Sequence, residues 1–233
     1  VLPPITAFKR VALDLFFPRW CIGCGKEGDY ICGSCREKLP AITPPICPVC
    51  GRPQSRGAIC RSCSNDSPEI DGIRSPFIFE GVIRQAIHEL KYRNLRALAP
   101  TLAGFLHDYV KENPVTGDVL VPVPLHRKRQ RERGYNQSAL LAKELGRLTG
   151  LPVVTGCLAR QSHALPQARS AGITERRKNV SDAFACLDGR LRDKGVLIID
   201  DVSTSGATLN ACAGVLKSAG VTTVWGLTLA LEL

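Results

Sequence analysis

Four apolar residues, Val196, Leu197, Ile198 and Ile199, lead directly into two adjacent carboxylates, Asp200 and Asp201. Neighbouring acids repel. Placing both at the carboxyl end of a buried strand makes sense where they accept hydrogen bonds from paired hydroxyls or lie near a divalent metal. The residues that follow, Val202, Ser203, Thr204, Ser205, Gly206, Ala207 and Thr208, supply hydroxyls and small side chains. Their backbone N–H groups can close around an anion, and a helix predicted from residue 207 onward adds its positive end to the site. A diol site followed by a phosphate site describes a ribose 5-phosphate. The plain alternative is an ordinary strand-turn-helix in which Asp201 or Ser203 caps the helix. For an isolated pair of aspartates that alternative wins; the complete string is more specific.

A second charged stretch follows another apolar run at 119–123. Pro124, Leu125 and His126 lead into Arg127, Lys128, Arg129, Gln130, Arg131, Glu132 and Arg133, with five basic side chains and one acid. Such a run is usually a solvated face. Here it too would leave the carboxyl end of a strand, facing the crevice of Asp200, and arginine forks match the oxygens of a pyrophosphate.

Eight of the eleven cysteines form four Cys-x-x-Cys pairs: Cys21/Cys24, Cys32/Cys35, Cys47/Cys50 and Cys60/Cys63. Four thiolates bind tetrahedral zinc readily, and the gaps suit two sequential sites, with an interleaved arrangement open. Two structural zinc ions are expected, in a reducing compartment and hence the cytoplasm. Redox chemistry ordinarily uses one such pair, and a closed four-cysteine site leaves no position for substrate. Cys157, Cys186 and Cys212 stand among apolar residues and read as core. The formal charge of +10 would fall by four, to +6, with eight thiolates and two zinc ions bound. That balance permits a polyanionic partner without requiring one.

Alternating strands and helices must position these groups. Helices are predicted over 5–17, 81–92, 97–111, 136–149 and 207–219, and strands over 73–79, 118–123, 152–154, 195–199 and 222–229. That order implies an α/β fold with a mainly parallel sheet. With 44% hydrophobic residues in 233, the chain can bury a core. The cysteine region is too poor in aliphatics for a core of its own, so metal must hold it. Residues 65–69 read as a linker between a module over 1–66 and a domain over 67–233. No run approaches a membrane span, and Lys9, Arg10 and Asp14 interrupt 5–17, which argues against membrane insertion and a secretory signal.

The segment from Val196 to Thr208 resembles the signature for 5-phosphoribosyl-1-pyrophosphate (PRPP) in type I phosphoribosyltransferases. That resemblance implies a parallel sheet flanked by helices. It gives Asp200 and Asp201 the ribose 2′ and 3′ hydroxyls, and gives the residues from Val202 to Thr208 the 5′-phosphate, with Mg2+ accompanying PRPP. It also makes Leu125, His126, Arg127, Arg129 and Arg133 a pyrophosphate site. Residues 121–126 and 129–137, with Arg160, Gln167, Arg176 and Asn179, narrow the resemblance to the competence-protein ComF family. Arg160 and Arg176 flank a polar stretch expected to close over the substrates, where they and Arg177 would neutralise the departing pyrophosphate, so with Asp200 and Asp201 they are the implied catalytic residues.

Three functions stand open on this reading. The first is transfer of phosphoribose to an acceptor that the residues do not name. The second is handling of single-stranded DNA during DNA uptake, with the zinc module docking a competence-machinery protein. The third is a PRPP sensor without turnover.

Overall fold

In the computed structural model, residues 18–160 and 183–233 are described. The helix expected over 5–17, and Gln167, Arg176, Arg177 and Asn179 of the polar stretch, lie outside them.

The sheet is built from β1 (Gly72–Arg74), β2 (Phe77–Ile78), β3 (Val119–Pro122), β6 (Gly195–Ser203) and β7 (Thr223–Leu231). Its order is β1-β7-β6-β3, with β2 also on β7, and every pairing is parallel. Residues 152–154 add a single parallel bridge, Val153 to Leu120. Side chains alternate across each strand, so both faces of an apolar strand need cover. On β6, Leu197 and Ile199 meet one cluster while Val196 and Ile198 meet the other. The first cluster takes α3 (Gly81–Tyr92), α4 (Ala99–Glu112) and α6 (Gln137–Thr149); the second takes α7 (Ala207–Ser218) and the hairpin of β4 (Leu158–Arg160) and β5 (Phe184–Cys186). This is the helix-flanked parallel sheet, preceded by a cysteine-rich module, that the resemblance implies.

Several elements differ from expectation for local reasons. The strand predicted over 73–79 breaks at Ser75 and Pro76, where the Ser75 hydroxyl bonds Thr228 Oγ1 at 2.6 Å inside the sheet. Proline cannot donate to a ladder, so the pairing restarts at Phe77. The strand predicted to end at Ile199 runs on to Ser203, because Asp200, Val202 and Ser203 remain in register with Thr228, Ala230 and Leu231. The basic run, for which no helix is predicted, folds as a short one, α5 (Arg127–Arg133). His126 caps it, its Nδ1 accepting from the Lys128 N–H at 3.2 Å, and Gly134 closes it with φ +73°.

The cysteine module carries two short helices, α1 (Gly33–Arg36) and α2 (Arg61–Asp66). It leans on the sheet. Ile31 and Leu39 are buried in the first core cluster, and Arg36 pairs with Asp108 and lies over the Phe105 ring. Its backbone continues the sheet edge: Ile42 N–H bonds Pro76 O, Ile78 N–H bonds Pro40 O, and Ile73 N–H bonds Val49 O.

Close packing at β1 yields a first prediction. A Cβ on Gly72 would lie 2.2 Å from Cζ3 of Trp225, whose ring is held beneath the Arg74 guanidinium. Gly72→Ala is therefore expected to cost about 1–3 kcal/mol of stability, measured by urea unfolding.

Candidate functional site

Parallel pairing fixes the site's frame. Pro122 is opposite Ile199, so β3 delivers the start of the basic helix α5 beside the point where β6 delivers Asp200. Both charged features thus occupy the carboxyl end of adjacent strands, where such sheets bind ligands.

Asp200 Oδ1 accepts from Ser138 Oγ at 2.7 Å and from the Asp201 N–H at 2.9 Å. Ser138 is buried in the first turn of α6, a helix capped by Asn136 through its Oδ1. Burial, then the neighbouring Asp201 charge, push the Asp200 carboxyl up to about 7, against the pull of Ser138, the Asp201 N–H and Lys91. Asp201 is only 3% exposed. Its Oδ1 pairs with Lys91 Nζ at 2.8 Å, whereas its Oδ2 is buried without a hydrogen-bond partner. The hydroxyl of Ser203, equally buried, also has none. Orphaned buried polar atoms are rare and costly, and two within three residues at a strand end make this a candidate position for a ligand.

Beyond them, Gly206 is the N-cap of α7 at φ +76°, and no side chain caps the helix. A side chain at 206 would be strained, and its Cβ would meet Ile73 Cδ1 at 2.9 Å. Ser205 Oγ only grazes the Ala207 N–H, at 3.4 Å. Thr204, Ser205 and Ala207 are exposed, so a loop of small and hydroxyl residues leads into an open helix start.

Arg129 and Arg133 line a cavity of about 360 Å³ together with Lys91, Tyr92, Asn94, Glu132 and Tyr135. Lys91 joins this cavity to the carboxylate pair. Arg133 lies over the Tyr92 ring and bonds Gln137 Oε1. Leu125, His126 and Arg127 do not line the cavity; the first two are half-buried and Arg127 is exposed. Arg160, at the end of β4, lies over Phe184. Its charge and that of Asp200 both reach the thiol of Cys212, which burial raises far above the ordinary range. Cys157 and Cys212 are fully buried, and Cys186 packs against the same cluster.

Lys91 and Ser138 contact the carboxylate pair, and sequence reasoning did not single them out. Lys91 follows the apolar stripe Ile83, Ile87 and Leu90 as an ordinary helix-end lysine would. Ser138 carried one local signal, its place two residues after the capping Asn136.

The cysteines form two sets, Cys21/Cys24/Cys32/Cys35 and Cys47/Cys50/Cys60/Cys63, each with its sulfurs within 4.8 Å of one another. The sequential pairing holds. Zinc at about 2.3 Å from each thiolate sets tetrahedral edges of about 3.8 Å. Cys24 and Cys32 sulfurs stand 3.6 Å apart, and Cys50 and Cys60 sulfurs 3.7 Å. The two knuckles repeat each other: Cys32 N–H points at Cys21 Sγ and Cys60 N–H at Cys47 Sγ, each at 3.4 Å. Four thiolates cannot coexist without a cation. Hydrogen bonding with Cys21, then burial, raises Cys35 to about 12, while burial first, then Cys47, raises Cys50 to about 11. The Ser34 hydroxyl and the Cys35 N–H lower Cys32 to about 6. The donor set fits structural zinc, and a profile of the double zinc ribbon domain matches residues 12–64.

Fold and site together define a parallel α/β protein with a candidate ligand crevice at its strand ends and a double zinc ribbon before it. Relatives narrow the class. The chain is 32% identical to competence protein ComFC of Bacillus subtilis, over 84% of this chain and 81% of that protein. It is 30% identical to competence protein F of Haemophilus influenzae, over 91% and 97%. DNA utilization protein YhgH of Escherichia coli K12 is 28% identical over 83% and 87%. The chain belongs to the ComF family of competence proteins. Among solved structures it is similar to a glutamine PRPP amidotransferase from B. subtilis, with 21% identity and a TM-score of 0.39, over 56% of this chain and 26% of that one. It thus spans about a quarter of that enzyme. A purine phosphoribosyltransferase from Pyrococcus horikoshii is 20% identical with a TM-score of 0.35, over 56% and 70%. Among the described residues, no helix is long and apolar enough to cross a membrane.

Proposed function

We propose that this ComF-family protein binds PRPP with Mg2+ at the end of β6 and acts there as a phosphoribosyltransferase. The observation that carries the reading is the pair of orphaned buried oxygens, one in the carboxylate pair (Asp201 Oδ2) and one on Ser203 (Oγ), ahead of an uncapped helix start. Ribose hydroxyls would satisfy Asp200 and Asp201, and the 5′-phosphate would take the N–H groups and hydroxyls of residues 203–208. Lys91, Arg129 and Arg133 surround a space suited to the pyrophosphate. Magnesium supplies neutralisation of that pyrophosphate when bound. Cytoplasmic residence belongs to the same proposal, since thiolate zinc sites persist where thiols stay reduced.

The test of turnover is release of pyrophosphate from PRPP–Mg2+ with a panel of nucleophilic acceptors. Release that depends on both acceptor and Asp200 supports transfer. PRPP binding without release under any acceptor leaves a sensor.

Ligand binding should also depend on pH. An Asp200 carboxyl held near 7 is largely protonated below that value and cannot serve as a charged acceptor. PRPP affinity is therefore expected to rise about tenfold per pH unit as pH climbs towards 7, then level off, in calorimetric titrations across that range. A flat profile from pH 5.5 to 8 contradicts the assignment of Asp200.

One observation favours a second reading. Arg127, Lys128, Arg129 and Arg131 are exposed on α5, beside the crevice. Such a face can follow a single-stranded DNA backbone, with the exposed side of the zinc ribbons docking a protein of the competence machinery. Oligonucleotide affinity that falls steeply with salt, with a slope reduced by α5 charge removal, supports it.

A further inference from the structure

The two zinc ribbons repeat each other in sequence and backbone but differ in what they touch. In each, the second residue after the second cysteine accepts a hydrogen bond from the first cysteine's N–H: Lys26 O from Cys21, Arg52 O from Cys47. Lys26 is exposed. Arg52 instead reaches across 152 positions of sequence, and its Nη2 donates to the carbonyl of Thr204 at 2.8 Å.

The rest of the second knuckle is held against β1, whose Ile73 lies under the same loop. Ile73 N–H bonds Val49 O at 2.6 Å, and Arg74 Nη1 bonds Pro48 O at 2.9 Å. Gly51 passes so near that a Cβ there would meet Ile73 O at 2.7 Å, while Ile73 Cδ1 is the atom a Cβ on Gly206 would strike. Knuckle, strand and loop are therefore in continuous contact.

We propose that the second zinc ribbon is a wall of the ligand site. Arg52 is its positioning residue, and zinc at Cys47, Cys50, Cys60 and Cys63 sets the affinity for a phosphorylated ribose. This rests on the phosphoribosyl reading above. In a trans peptide the C=O and the following N–H point in opposite directions. Fixing the Thr204 carbonyl towards Arg52 fixes the Ser205 N–H on the other side, and a charged donor on that carbonyl polarises the N–H further. The hydroxyl of Ser203, the residue before this peptide, is buried without a partner. The first ribbon has no such connection among the described residues.

The test uses the full-length, zinc-loaded protein with ribose 5-phosphate and PRPP–Mg2+ as probes. Arg52→Gln is expected to weaken both about tenfold, the cost of one charge-assisted hydrogen bond, with Arg52→Lys restoring part of the loss. Arg147→Gln, a charge removal on the exposed face of α6, should leave both affinities unchanged. Coupling must also run in reverse: saturating PRPP–Mg2+ should slow zinc release to a thiol reagent for one of the two ions, and Arg52→Gln should abolish that protection. Melting temperatures show whether each variant is folded. Equal affinity of folded Arg52→Gln and unaltered protein overturns the inference, as does zinc release indifferent to ligand. Failure of the unaltered protein to bind either probe overturns the phosphoribosyl reading and this inference with it.

Discussion

Replacing Asp200 and Asp201 together by asparagine is expected to abolish PRPP binding while leaving two zinc ions per chain. Each carboxylate would contribute charge-assisted hydrogen bonds of about 1.5–3 kcal/mol, so losing both lowers affinity by a factor of about 10²–10⁴. Stability should change little, because the two substitutions oppose each other. The Asp200 carboxyl is raised in the folded chain, so its ionisation weakens the fold as pH rises above the unfolded value of 3.8, and the full cost is present above about 7. Asparagine at 200 removes that cost, about 2 kcal/mol at pH 8 after allowance for partial exposure. Asparagine at 201 removes the ion-pair partner of Lys91 Nζ and leaves that largely buried ammonium the Asp200 charge alone. The single variants should therefore move urea midpoints in opposite directions, Asp200→Asn upward and Asp201→Asn downward. Retained affinity in the double variant contradicts the site assignment.

Removing a zinc ligand should have the largest effect on stability. Four-cysteine zinc sites contribute about 10 kcal/mol or more of apparent folding energy in small ribbons, and this module has few aliphatic residues to replace it. The two sites should nonetheless respond differently. The first ribbon places Ile31 and Leu39 in the main core, with Ile22, Tyr30 and Cys35 packed against it. The second contributes no residue to either core cluster. Cys21→Ser is expected to lower the melting temperature by more than about 10 °C, and Cys47→Ser by less. Each variant should retain one zinc by elemental analysis. Equal losses of stability would show that the first ribbon's apolar contacts with the sheet contribute little.

Much of this molecule was legible because the relevant forces are local. Ile83, Ile87 and Leu90 repeat at helical spacing, and α3 begins and ends where the pattern predicts. Asn136 caps α6 as a residue of that type should. The cysteine spacings suggested sequential zinc sites, and the backbone N–H groups of Gly23 and Cys24 on the Cys21 sulfur, matched by those of Val49 and Cys50 on the Cys47 sulfur, show why the two four-residue knuckles fold the same way. The adjacent carboxylates and the glycine-bearing loop were visible for the same reason: strand, acids and helix start are contiguous in sequence.

What escaped depends on residues distant in sequence. Nothing near Lys91 indicates that its ammonium meets Asp201, because the parallel sheet alone brings α3 over the end of β6. Arg52 looked like another basic residue in a basic module until the sheet edge set it against Thr204. The run from Arg127 to Arg133 reads as a loop from its charge and lack of apolar periodicity, yet His126 and Gly134 close its ends as helix caps. The strand's continuation beyond Ile199 is not legible in the sequence because acids and hydroxyls are poor strand formers in isolation. Pairing with β7 holds them extended.

The central claim is that the end of β6 is a PRPP site, and calorimetric titration of the zinc-loaded protein with PRPP in the presence of Mg2+ tests it most directly. Saturable binding of one PRPP per chain, dependent on Mg2+ and absent from the Asp200→Asn, Asp201→Asn double variant, is the predicted result. No saturable heat from folded protein holding two zinc ions, or equal binding by the double variant, would contradict it.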